Sequence, residues 1–310
     1  MPIKPEFIEA EYQSFVEYSL IDEFSKGQRF EVVYHAGADE KRVGYDIEVK
    51  TLIPMFFQLK VSDYYPFHGR SKITLDRRDC LHFKDNPGHF SFDLHKDNKT
   101  GRYIQHNTLH ELMKNGMYAR YVAPLFYTRK TISHLKYSRE NSIKWGMCFH
   151  EIADIEMIHR RPYYKIGFMD WRDYIQFSHS ATISPHKIIN DTQVHHYSYN
   201  YKGELSFHSD PEKLEQNNLT LYEYMHSVVA YSLRSEKQIS LNDVIISISR
   251  SIRTVNELSR IDFDTSYSPE INADSIEKMD VETKIKELSK LAGFLKDKMG
   301  ILTIIGSYEL

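Results

Sequence analysis

The chain has 310 residues, of which 41% are hydrophobic and 27% charged, with a formal net charge of −3. Such a composition excludes a chain too polar to bury a core, and a surface coated with positive charge, though not a local basic groove. Cys80 and Cys148 lie far apart and form no CxxC pair, which argues against a disulfide framework and a zinc knuckle.

The N-terminus lacks an apolar signal core, and no run approaches the ~20 apolar residues that span a bilayer. A cytoplasmic location without membrane contact is the expectation. Aromatic content is 13%, with 22 Tyr and 17 Phe, enough to fill a core and also to line a groove.

Ile8, Tyr12, Phe15, Val16, Leu20 and Phe24 recur at three- and four-residue steps, which predicts a helix over 6–25 ended by Gly27. Residues 29–35 read as a strand. Residues 44–51 alternate Tyr45, Ile47 and Val49 against Asp46, Glu48 and Lys50. A third strand is expected over 55–61, with Pro54 marking a turn before it. Residues 63–102 read as an insertion with a short strand around Phe90–Leu94. A helix over 103–115 and a β-prone segment over 118–127 follow. Tyr163–Met169 is a further strand candidate. From about 219 the pattern turns helical, over 221–233, 241–259 and 281–299, with Ser240 as an N-cap. Residues 301–306 read as an edge strand or a buried tail. The implied organisation is an α/β core over 1–215 and a mainly helical region over 216–310.

Asp46, Glu48, Gln58 and Lys60 share numerical parity, so each pair shares one face of its strand. A hairpin through Ile53-Pro54 would set Asp46 opposite Lys60 and Glu48 opposite Gln58. An oxygen-rich set of this kind suits a hard cation, and an adjacent Lys suits the charge that develops as a phosphodiester breaks. The surface alternative is an ordinary cross-strand ion pair of ~0.2–1 kcal/mol.

With these residues in place, the chain resembles the PD-(D/E)xK, restriction-endonuclease-like nucleases. Asp46 matches their acidic element, and Gln58-Leu59-Lys60 matches the QxK variant seen in methyl-directed restriction nucleases. The resemblance covers roughly residues 10–127. It implies an αβββαβ core with a mixed central sheet, and Mg2+ or Mn2+ held by Asp46, Gln58 and a Glu of the first helix. Glu17 is the best match for that Glu, with Glu11 and Glu23 behind it. Lys60 would act on the nucleophile and the transition state. It also implies DNA as the substrate, a role in defence against foreign DNA, and a second copy or an operon-encoded protein as partner.

Arg70, Lys72, Arg77, Arg78, Gln105 and His106 are the candidate nucleic-acid contacts. Gln58 stands where most relatives carry an acid, so the alternative is an inactive core that binds nucleic acid or a protein. His106 and His110 have a spacing that suits a transition metal, but no third ligand accompanies them. His195 and His196 read as ordinary polar positions.

Overall fold

A computed structural model describes residues 2–25, 30–35, 51–66, 88–98, 100–132, 180–200, 203–208, 212–213, 219–234, 239–259 and 273–308. In chain order its elements are α1 (Glu9–Ser25), β1 (Phe30–His35), β2 (Thr51–Leu59), β3 (Asp63–Tyr65), β4 (His89–Asp93), α2 (Ile104–Lys114) and β5 (Tyr118–Pro124). Then come β6 (Ser180–Ile183), β7 (His196–Tyr199), β8 (Leu205–His208), β9 (Glu212–Lys213) and β10 (Leu219–Thr220). The chain closes with α3 (Leu221–Arg234), α4 (Leu241–Ser259), α5 (Ala273–Glu277), α6 (Val281–Met299) and β11 (Ile301–Tyr308). No helix among the described residues is long and apolar enough to cross a membrane.

The architecture is α/β. A mixed six-stranded sheet has the order β1-β11-β2-β5-β6-β10, and a second sheet has the order β3-β4-β7-β8-β9. β2 is central and apolar on both faces, as a strand covered on two sides must be. Its odd-numbered side chains, Ile53, Met55, Phe57 and Leu59, pack under Tyr12, Phe15, Val16 and Leu20 of α1 and under α3. Leu52 and Phe56 face the larger core shared with α2, α4, α6 and the second sheet.

Pro54 does not make a turn. β2 runs through it unbroken, with Ile53 opposite Gly306 and Pro54 opposite Ile305. Amide directions alternate along a strand, and the Leu52 N–H points away from β11, to the Ile239 carbonyl. Pro54 has the same direction, and β5 begins only opposite Met55, so no ladder donor is missed. The expected hairpin of 44–51 with 55–61 is therefore corrected. One edge of β2 is taken by β11 from Thr51 to Gln58, the other by β5 from Met55 to Leu59.

The C-terminal strand is the larger surprise. Residues 301–308 sit between β1 and β2, inside the sheet. Asp280 caps α6 by accepting the Thr283 N–H at 2.7 Å, and Gly300 ends it with φ 60°. That left-handed residue turns the chain straight from helix into strand. The mainly helical region over 216–310 thus supplies a strand interior to the sheet, and its α4 and α6 share the main core. Likewise, β3 and β4 of the expected insertion join β7 and β8 in one sheet.

Candidate functional site

The C-terminal end of β2 carries Gln58-Leu59-Lys60. β5 runs parallel to β2, so α2, which crosses between them, runs the opposite way. Its first turn lands at the C-terminal end of β2, and Gln105 arrives there with it. β1 is also parallel to β2, both being antiparallel to β11, and α1 runs back against β1. The first turn of α1 therefore reaches the same end of the sheet, bringing Glu9.

Gln58 is 2% exposed. Its Nε2 donates to Gln105 Oε1 at 2.5 Å and to the Met299 carbonyl at 3.3 Å. Its Oε1 is buried and receives no hydrogen bond. An orphaned amide oxygen costs free energy unless something accepts its lone pairs. Lys60 continues the ladder, its backbone N–H donating to the Val122 carbonyl at 3.0 Å. Burial lowers the pKa of its ammonium group, and the field of Glu9 partly offsets that. Glu9 keeps solvent-exposed surface, yet the protein around its carboxyl raises its pKa, opposed by Lys60 and by His95. Glu9 thus feels the field of both Lys60 and His95 at this end of the sheet.

Glu17 is placed elsewhere. It lies about 12 Å further along α1, at 1.5 Å per residue, and its Oε1 accepts from Gln13 Nε2 at 2.6 Å. α1 covers the odd-numbered face of β2, whereas Gln58 projects into the α2 side. Glu17 and Gln58 are therefore not brought together. Glu9 and His95 are the residues that the sequence missed. Glu9 was findable from direction: a helix running against β2 delivers its first turn, not its middle, to the strand's C-terminal end. His95 carries no local signal.

Asp46, Arg70, Lys72, Arg77 and Arg78 lie outside the described residues, as does Tyr163–Met169. Among the described residues, no three His, Cys, Asp or Glu side chains form a metal-binding group.

His106 is corrected as a nucleic-acid contact. It is 1% exposed, with Nδ1 2.9 Å from the Tyr121 hydroxyl and Nε2 2.7 Å from the Lys187 carbonyl. A carbonyl only accepts, so Nε2 carries the proton and Nδ1 accepts from Tyr121. With both nitrogens used, His106 also has none left for a metal shared with His110. His195 is likewise interior, 2% exposed, with Nε2 2.6 Å from Asp191 Oδ1 and its ring stacked on Phe207 at 5.3 Å.

Comparison with known proteins returns no match, whether to family models, to curated proteins or to solved structures.

Proposed function

We propose that the chain is a metal-dependent nuclease acting on DNA, on a restriction-endonuclease-like core built around β2. The observation that carries this reading is Gln58-Leu59-Lys60 at the C-terminal end of the central strand, where two helix first turns deliver Gln105 and Glu9. Ligands of open α/β sheets gather at the carboxyl ends of strands. Within the six-stranded sheet, the order α1, β1, β2, crossover helix α2 and parallel strand β5, with β3 and β4 of the second sheet between β2 and α2, also supports it.

The orphaned Gln58 Oε1 is an oxygen donor that fits a hard cation. Gln58 and Asp46 would hold Mg2+ or Mn2+, with Glu9 rather than Glu17 as the nearby helix carboxylate. Such a cation, when bound, supplies Lewis acidity at the phosphate. Lys60 donates to the phosphate oxygens that gain charge as the P–O bond breaks. Its lowered pKa also makes it readier to exchange a proton with the leaving oxygen. Gln105 fixes the Gln58 amide so that Oε1, not Nε2, faces the site. Defence against foreign DNA, and assembly with a second copy or an operon-encoded protein, belong to the same proposal.

Plasmid incubated with the full chain and Mg2+ or Mn2+ should be cleaved. Lys60→Ala should slow cleavage by roughly 100-fold, the scale of one lost transition-state donor. Gln58→Glu should lower the cation concentration needed, because a carboxylate adds charge to the ligand set. Equal cleavage by the unaltered chain and Lys60→Ala would remove Lys60 from the chemistry.

A second reading is a catalytically inactive protein that binds nucleic acid or a protein partner. It is favoured by the existing bonds of the Gln58 amide, which give that residue a structural use. DNA binding without turnover, and no cation binding lost in Asp46→Asn by calorimetry, would select it.

A further inference from the structure

At the start of β5, away from Gln58, lies an open cleft of about 380 Å3, bounded by that strand end, the end of α2 and one side of α3. Its described lining includes Met113, Met117, Tyr118, Arg120, Tyr224 and Tyr231. Arg120 is the only charged residue among the described lining. Its guanidinium carbon lies 4.9 Å from the centre of the Tyr224 ring, a cation–π contact that holds the group flat. Its Nε is buried and has no acceptor. Among the described residues, no carboxylate pairs with it.

The Tyr224 hydroxyl is hydrogen-bonded to Arg120, and two further hydroxyls of the cleft are engaged elsewhere. The Tyr118 hydroxyl lies 3.0 Å from Ser232 Oγ, and Ser227 Oγ donates to the Tyr224 carbonyl at 2.7 Å. The last turn of α2, whose carbonyls would repel an anion, is covered by the backbone N–H groups of Asn115, Gly116 and Met117. Tyr231 leaves a large ring 67% exposed at the mouth, while the methionines provide polarizable walls. An Arg guanidinium with no described carboxylate partner, beside aromatic and thioether surfaces, asks for two things at once, an anionic acceptor and a flat apolar body. The volume sits near the lower end of the ~300–1,000 Å3 typical of small-molecule sites, so one ring system fits and a polymer does not.

We propose that this cleft binds a small molecule made of a flat aromatic ring bearing one anionic group, phosphate or carboxylate. The anion accepts from the Arg120 guanidinium, and the ring lies against Tyr231 and the methionines. The site is separate from the Lys60 end of the sheet.

The test is calorimetric titration of the full chain with adenosine monophosphate and with benzoate, beside adenosine and inorganic phosphate as the separate halves. At least one ring-anion probe should saturate, tenfold or more tighter than either half. Arg120→Gln should weaken it at least tenfold at an unchanged melting temperature, and Arg120→Lys should recover part of the loss. Ser227→Trp fills the cleft from an exposed position on α3 and should block binding; it decides the matter if Arg120→Gln does not fold. Lys60→Ala should bind as the unaltered chain does. The proposal is overturned if neither probe saturates or if phosphate alone binds as tightly. It is equally overturned if the cleft variants bind normally, or if Lys60→Ala abolishes binding.

Discussion

His106 shows how far a residue's surroundings outweigh its type. Spacing on a helix made it a metal candidate and the nuclease resemblance a nucleic-acid contact, whereas packing makes it a neutral interior bridge between Tyr121 and Lys187. Burial pushes its pKa down to about 3, with the Lys187 carbonyl pulling weakly the other way. In the unfolded chain it takes up a proton near 6.5; in the folded chain it does not until about 3. Unfolding therefore binds a proton between those values, and stability falls as pH falls through that window, by up to about 1.4 kcal/mol per pH unit. Urea midpoints measured from pH 7 to pH 4 should show this slope, and His106→Gln should flatten it. The same variant should cost about 1–3 kcal/mol at pH 7, since a buried partner is left unsatisfied. Parallel pH profiles for the two proteins would assign the slope to other groups.

At the scale of elements, β11 is the piece that the sequence under-reads. Its apolar character was visible, but a short apolar run at a chain end looks the same whether it is an edge or a centre. Thr303 sits on the face of β11 that meets the α2 core, opposite Phe56, fully buried, with Oγ1 unpaired. Thr303→Val keeps the shape and removes a buried hydroxyl without a partner. It should stabilise the protein by about 1 kcal/mol in urea unfolding, the reverse of the usual cost of a core change. A loss of similar size would mean that the hydroxyl is satisfied after all. Caps were more legible than strand order. Ser240 Oγ accepts the Asp243 N–H at 3.2 Å while Asp243 Oδ2 accepts the Ser240 N–H at 2.9 Å. Such bonds join near neighbours and leave a local trace.

For the whole molecule, the order β1-β11-β2 ties the chain's last strand to its first. A chain ending at Gly300 leaves β1 and β2 with open edges and exposes the apolar face against which α1 packs. It should lose its cooperative thermal transition. A fragment of residues 1–215 should be unfolded alone and regain structure when co-expressed with 216–310. Circular dichroism and gel filtration check both, and an independently folded 1–215 would restore the two-part organisation. The expected hairpin failed because it assumed that neighbours in sequence pair in space.

The sequence by itself determined the types of the longer elements, because helical and strand periodicities are local; the short strands β3 and β6 to β10 left no such trace. The residues of α1, α2, α3, α4 and α6 and the apolar run of β2 announce their partners' polarity without naming the partners. It also singled out Gln58 and Lys60. Only the tertiary structure decided which strands flank β2, that Glu9 rather than Glu17 comes near Lys60, and that Arg120 lines a cleft with no carboxylate among its described residues. Those facts depend on chain direction and on contacts between residues tens to hundreds of positions apart, which no local pattern encodes.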